Sequence, residues 1–385
     1  MSQTTVYHAT FLFPETLERD TGRLSVEEGR IANFEAGEPR SGDVQLTGTV
    51  TPGLIDAHVH LLLDASASPI ANLQELSLTG RVLLAQRNMR SQLSAGVTTV
   101  RDLGGPSNVA VDLGKAVAEG RLSGPRILSS GRNLTMTGGH GHKLGLEADG
   151  PDALRRAVRG ELKAGAQVIK FMATGGVLTQ NVRAGATALT EDELRAGVEE
   201  AHKAERRTAA HAQGLEGIKN ALRAGVDTIE HGAFDEWDDE ALERLQTRFL
   251  VPTLAAPDGI LAGGDAMPDW VLAKTRPVAR RHRDNIAEAY GASVSLVAGT
   301  DSGTPFNPHG NLHRELELLT QVGVGFGDVF RAATTVAADA LGLAGQVGTL
   351  QAGAFADFVV WDGDPLEDVD VYKRPQKVVF GGSVI

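Results

Sequence analysis

His58 and His60, in Asp56-Ala57-His58-Val59-His60, are separated by one residue. Side chains of a β-strand alternate between its faces, so residues two apart share a face. Their Cα atoms would stand about 7 Å apart, close enough for two imidazoles to converge on one cation. The apolar Leu54-Ile55 before them predicts a strand that ends near His60. Alone, this pair would equally fit two exposed loop histidines. Three more ligand-type residues close other short runs: His211 after Thr208-Ala209-Ala210, His231 after Thr228-Ile229-Glu230, and Asp301 after Leu296-Val297-Ala298-Gly299-Thr300. Imidazoles and a carboxylate gathered from four strand ends are the donor set of a divalent-metal site. Lys170 closes Gln167-Val168-Ile169 in the same manner. A lysine turned into a barrel mouth is costly unless neutralised or paired, and its plainer alternative is a surface side chain that snorkels to water.

The elements that must position these residues alternate regularly. Candidate strands cover Leu54–His60, Val97–Asp102, Arg126–Ser130, Gln167–Met172, Arg207–His211, Asp227–His231, Leu250–Leu254 and Ser293–Asp301. Stretches of helical period lie between them, such as Arg81–Ser94, Ser107–Ala118, Asp152–Ala164, Glu191–Ala204, Leu215–Ala224 and Pro277–Tyr290. Strand alternating with helix predicts a parallel sheet, because parallel strands need crossovers. Eight such units predict an α/β fold, a (β/α)8 TIM barrel, whose active site lies at the C-terminal strand ends. Ala95-Gly96-Val97, Ala164-Gly165-Ala166 and Ala224-Gly225-Val226 each place a glycine where a helix stops and a strand begins. Thr190 and Glu193 have the spacing of a capping box.

The chain ends read differently. Thr5–Phe13, Arg23–Val26, Arg30–Phe34, Val44–Leu46, Phe355–Trp361 and Lys377–Phe380 are short strand candidates, and Asp362-Gly363-Asp364-Pro365 is a turn signal. Residues 1–52 and 345–385 are therefore expected to build a small β-sandwich domain beside a barrel of residues 53–344.

Composition sets outer limits. Of 385 residues 42% are apolar and 22% charged, as in an ordinary globular protein. A net charge of −12 disfavours duplex DNA and anionic membranes as partners. The absence of cysteine excludes disulfides, a thiol nucleophile and cysteine zinc sites, so a metal must be held by histidine, carboxylate or something less usual. No basic segment followed by an apolar run stands in Met1–Thr10, and no stretch approaches the roughly 18 apolar residues of a membrane span. A cytoplasmic location is expected.

Pro52-Gly53-Leu54-Ile55-Asp56-Ala57-His58-Val59-His60 closely resembles the opening motif of the amidohydrolase superfamily. Val168-Ile169-Lys170, Ala210-His211-Ala212, Glu230-His231-Gly232 and Gly299-Thr300-Asp301 match its later strands in order, and Leu350–Val360 resembles the segment completing its β domain. The resemblance implies that CO₂ carboxylates Lys170 and that the carbamate bridges two divalent cations. It implies that His58, His60 and Asp301 hold one cation and that His211 and His231 hold the other. Zinc suits these donors, and manganese or cobalt would fit similar ones. Such a pair lowers the pKa of a bridging water, and Asp301 would accept its proton and deliver it to a leaving amine.

Within the superfamily, the chain is most similar to the imidazolonepropionase-like branch related to Xaa-Pro and Xaa-Arg/Lys dipeptidases. Thr137-Gly138-Gly139-His140-Gly141 matches a loop of that branch and implies that His140 contacts substrate. Gln213 departs from it, since many relatives carry a tyrosine there that helps bind the substrate carboxylate. Gln213 can still donate hydrogen bonds, and Arg183 in the glycine-rich loop after Lys170 is a candidate for a compensating contact. His8, His202 and His282 fall outside the strand-end pattern and receive no role. The resemblance implies a small-molecule substrate and the activity of a dipeptidase or N-acyl amino acid hydrolase. Hydrolysis of lactones, cyclic amides or organophosphates is the alternative, with a non-catalytic scaffold more remote. Relatives are often homo-oligomers, although no segment here marks an interface.

Overall fold

Short runs rich in β-branched and small apolar residues pair in parallel, and helices return the chain between them, as right-handed βαβ units require. In the computed structural model, which describes residues 4–385, the barrel strands are β1 (Leu54–Val59), β2 (Val97–Asp102), β3 (Arg126–Ser129), β4 (Val168–Met172), β5 (Arg207–Ala212), β6 (Thr228–His231), β7 (Phe249–Val251) and β8 (Ser295–Leu296). Met1–Gln3, part of the N-terminal stretch considered above, lie outside the described residues. Strands β1 to β3 form one parallel run and β4 to β8 another. Two seams close the ring. Gln167 N donates to Ser129 O beside β3, while Ala57 N donates to Ala298 O and Asp301 N to His58 O beside β1. The fold is a (β/α)8 barrel carrying a small β domain.

The eighth strand is shorter than its sequence suggests. The expected Ser293–Asp301 is regular only at Ser295–Leu296, because Ala298 N turns to Ala332 O at the end of a helix instead of continuing along β7. Gly299 makes the closure sterically feasible. A Cβ there would stand 2.5 Å from the Val251 side chain and 3.0 Å from His58 N. Lys170 and His211 lie slightly inside their strands, which continue to Met172 and Ala212. The helix punctuation follows expectation. Gly96, Gly165 and Gly225 have φ of 84°, 105° and 91°, and Thr190 and Glu193 cap their helix reciprocally.

The terminal segments join in one seven-stranded sheet. Its central strand, Val44–Pro52, pairs in parallel with Thr5–Leu12 and antiparallel with Phe358–Trp361, so the two ends of the chain hold each other. Tyr7, Phe11, Leu24, Val50, Phe358 and Val379 share a core separate from the barrel's.

At the bottom of the barrel, Asp227 accepts hydrogen bonds from His202, Arg207, and the Thr208 hydroxyl and amide. Burial raises its pKa, but these donors outweigh burial and hold it below the ordinary carboxylate range. A carboxyl group with a depressed folded-state pKa stabilises the fold above its unfolded pKa and loses that contribution as pH falls. Asp227→Asn is therefore expected to cost about 2 kcal/mol near pH 7. The gap between the urea midpoints of wild type and variant should narrow below about pH 4. A gap unchanged from pH 7 to 3 would remove this ionic contribution.

Candidate metal centre

The mouth of the barrel gathers eight of the nine residues expected from sequence. His58, His60, His140, Lys170, His211, Gln213, His231 and Asp301 line one cavity. Arg183 is not among its lining residues and is exposed in the loop after β4. His58 and Lys170 are each 1% exposed, so water contributes little to their solvation. The register explains the gathering. His211 stands opposite Glu230, and Ala212 opposite His231. Lys170 pairs with Ala209, two residues deeper, and its long side chain spans that depth.

Two ligand-type residues sit at strained backbone positions. His231 has φ of 73° and Asp301 of 59°, in the left-handed region that side-chain-bearing residues rarely occupy. At His231 the twist breaks the normal alternation of faces, so adjacent Glu230 and His231 both meet the His58 ring. Such strain persists only where surrounding contacts over-determine it, and it concentrates at functional sites.

The imidazoles form a contiguous chain. Ring centroids are 5.5 Å apart for His58 and His60, 5.2 Å for His58 and His231, 4.5 Å for His211 and His231, and 4.4 Å for His140 and His211. The second nitrogen of each ring determines which atom faces the centre. His58 Nδ1 meets Glu230 Oε2 at 2.9 Å, and His60 Nδ1 meets Gly104 O at 2.9 Å. Both partners accept here, so both Nδ1 atoms carry a proton and each ring turns its Nε2 toward the centre. The two Nε2 atoms point at Asp301 Oδ1, 3.4 Å and 3.1 Å away. Despite these short distances Oδ1 makes no hydrogen bond of ordinary geometry. A cation between them would be held by all three atoms. His58, His231 and Asp301 each offer a ligand atom within 4.8 Å of the others. His211 is turned the other way, with Nε2 at 3.3 Å from Gly175 O, leaving Nδ1 for the centre.

Electrostatics agree with this arrangement. Burial holds the pKa values of His58, His211 and His231 well below normal, keeping the rings neutral and able to ligate. For His60, burial lowers the pKa but Asp301 more than offsets it, so the carboxylate favours positive charge at this point. Burial lowers the Lys170 pKa to about 8, and its Nζ has no hydrogen-bond partner. A dry, unpaired amine with a depressed pKa is the form that adds to CO₂. The donors therefore fit divalent cations, and Lys170 fits a carbamate.

Sequence reasoning missed the supports behind these residues. Glu230 and Arg101, both fully buried, connect His58 to the barrel core. Thr253 Oγ1 bonds His231 Nδ1 at 2.7 Å. His282, given no role from sequence, lines the cavity with its Nε2 2.7 Å from His231 O. It comes from helix Asp269–Gly291, whose placement across the mouth no strand-end pattern could reveal.

Residues 49–385 match the model of the amidohydrolase family. The chain belongs to the amidohydrolase family. Among curated proteins, ochratoxinase of Aspergillus niger is 29% identical over 98% of this chain and 85% of its own length. Among solved structures, a Xaa-Pro dipeptidase with bound methionine has 27% identity and a TM-score of 0.91, with all of both chains covered. A prolidase complexed with N-methylphosphonate-L-proline has 32% identity and a TM-score of 0.90, covering 100% of this chain and 99% of its own. This amidohydrolase is thus a hydrolase acting on C–N bonds, from a family that generally binds divalent metal, and its neighbours match the branch expected from sequence. Among the described residues, no helix is long and apolar enough to cross a membrane.

Proposed function

We propose that this amidohydrolase uses a binuclear divalent-metal centre, zinc by its donor set, to hydrolyse the amide bond between an acyl group and an amino acid. Xaa-Pro dipeptides and N-acyl amino acids both have that bond. The reading is carried by the convergence of His58 Nε2 and His60 Nε2 on Asp301 Oδ1, a buried oxygen with no hydrogen-bond partner. The Xaa-Pro dipeptidase and prolidase relatives lend support to the substrate class.

In this reading His58, His60 and Asp301 would hold one cation, His211 and His231 would hold the other, and Lys170, once carboxylated, would be a ligand to the pair. Bound cations would polarise the scissile carbonyl and lower the pKa of a water. Asp301 takes the water's proton and returns it to the departing nitrogen as the C–N bond breaks. Amide and water become a carboxylate and a protonated amine, which accounts for both protons of the water. His140 is steadied by a 2.7 Å contact from Nδ1 to Thr179 Oγ1, and burial keeps it neutral, with a pKa of about 3. With Thr179 donating, His140 offers an Nε2–H to a substrate oxygen. Gln213 is 5% exposed and its Oε1 has no partner, so its amide is free to bind the amino-acid half.

Dialysis against a chelator is expected to abolish amide hydrolysis, and adding about two equivalents of a single divalent ion to restore it. Full turnover by protein that elemental analysis finds metal-free would sink the proposal.

A further inference from the structure

The cavity over the metal-site residues is small, about 80 Å³. In that measure a water takes roughly 10–15 Å³, so the chamber holds the equivalent of about five to eight waters. A second chamber of about 340 Å³ lies outside it. The two share Ile70, Gly141 and Leu178, which form a neck between them. The neck is held in place from both sides. Lys274 Nζ donates to Thr179 O and Val182 O, each at 2.6 Å, and Thr179 Oγ1 meets His140. Gly176 allows this loop to lie against His140, since a Cβ there would come within 2.6 Å of the imidazole.

The outer chamber is apolar and partly aromatic. Trp270, Met267, Val271 and Pro268 form one wall, and Lys274 Nζ sits 5.3 Å from the Trp270 ring centroid. Charge is distributed unevenly. Among the residues lining either chamber, Asp301 is the only carboxylate, whereas Lys143 brings positive charge to the outer one. A free dipeptide carries an α-ammonium, and the two anions it could meet, Asp301 and the carbamate proposed on Lys170, are both committed to the cations. Leaving such a charge unpaired and desolvated is strongly unfavourable.

We propose that the outer chamber is an acyl subsite for a flat, uncharged aromatic group, and that the enzyme selects N-aroyl amino acids over free dipeptides. This rests on the amide-hydrolase reading above. The amine half must reach Asp301, and Gln213 is placed to meet it; both line only the inner chamber, so the acyl arm extends through the neck. There the face of Trp270 and the sulfur of Met267 suit an aromatic ring.

The test uses the metal-loaded enzyme with naphthoyl, acetyl and free alanyl groups, each joined to L-proline and to L-phenylalanine. Naphthoyl substrates are expected to exceed the free dipeptides in kcat/KM by about a hundredfold. Trp270→Ala should lower the naphthoyl-to-acetyl ratio about tenfold, chiefly through KM, and Trp270→Phe should keep most of it. Met267→Ser, a milder change on the same wall, should move the ratio in the same direction. Free dipeptides cleaved as well as the naphthoyl compounds, or a ratio unmoved by Trp270→Ala, would overturn the subsite alone. No turnover of any of these amides would overturn the hydrolase reading and the subsite together.

Discussion

Lys170→Ala lowers kcat/KM by at least about a thousandfold, or about 4 kcal/mol of transition-state stabilisation, in the outcome we expect. The bound metal should fall from about two ions per chain to fewer than one. The reason is geometric. Lys170 is the only lysine lining the inner chamber, is 1% exposed, and its nitrogen has no hydrogen-bond partner. A lysine kept merely for packing would not need to point an unpaired amine at four imidazoles and a carboxylate. Alanine leaves a gap shaped like the missing side chain, so a short carboxylic acid such as propionate should restore part of the activity and metal content. Full activity and metal content in Lys170→Ala would eliminate the carbamate bridge.

Arg101→Met is expected to be among the costliest single changes for stability, at about 3–5 kcal/mol, because it strands a buried carboxylate. Arg101 is 1% exposed and uses its whole guanidinium. Nε donates to Ala57 O at 2.6 Å, Nη1 to Thr228 Oγ1 at 3.0 Å and Nη2 to Glu230 Oε1 at 2.8 Å. Glu230 in turn fixes the His58 tautomer through Oε2. Removing the arginine leaves Glu230 without its cation and frees the His58 ring. Metal affinity should also fall about 10–100-fold, as for other residues that orient metal ligands. The double variant Arg101→Met/Glu230→Gln should be less destabilised than the sum of its parts, since the stranded charge is gone. Denaturation midpoints and a metal-binding titration provide the two readouts. Strict additivity, with unchanged metal affinity, would show that the three residues do not act as a unit.

What the sequence by itself determined about this protein follows from local periodicity. His58 and His60 share a face because strands alternate every two residues, and Lys170, His211 and His231 lie at or near strand ends because each follows a short run of strand-forming character. Such patterns need no knowledge of distant chain, so the barrel and the set of strand-end donors were legible, as was Gly225 as a helix stop.

Tertiary structure alone decided the rest. Glu230 next to His231 reads as a residue of the opposite face, and only the left-handed backbone at His231 brings both to one ring. Arg101 looks like an ordinary charged residue near a strand end until Thr228 and Glu230, more than a hundred residues away, surround it. Asp301 was expected at the end of a long strand, yet regular pairing stops at Leu296 and closure of the ring brings the carboxylate to His60. The outer chamber is built from loop and helix segments around Ile70, Leu178 and Trp270, which share no local pattern. A periodic signal reports which face a residue takes on its own element. Which elements face each other, and what space they leave between them, is set by packing over long separations in the chain.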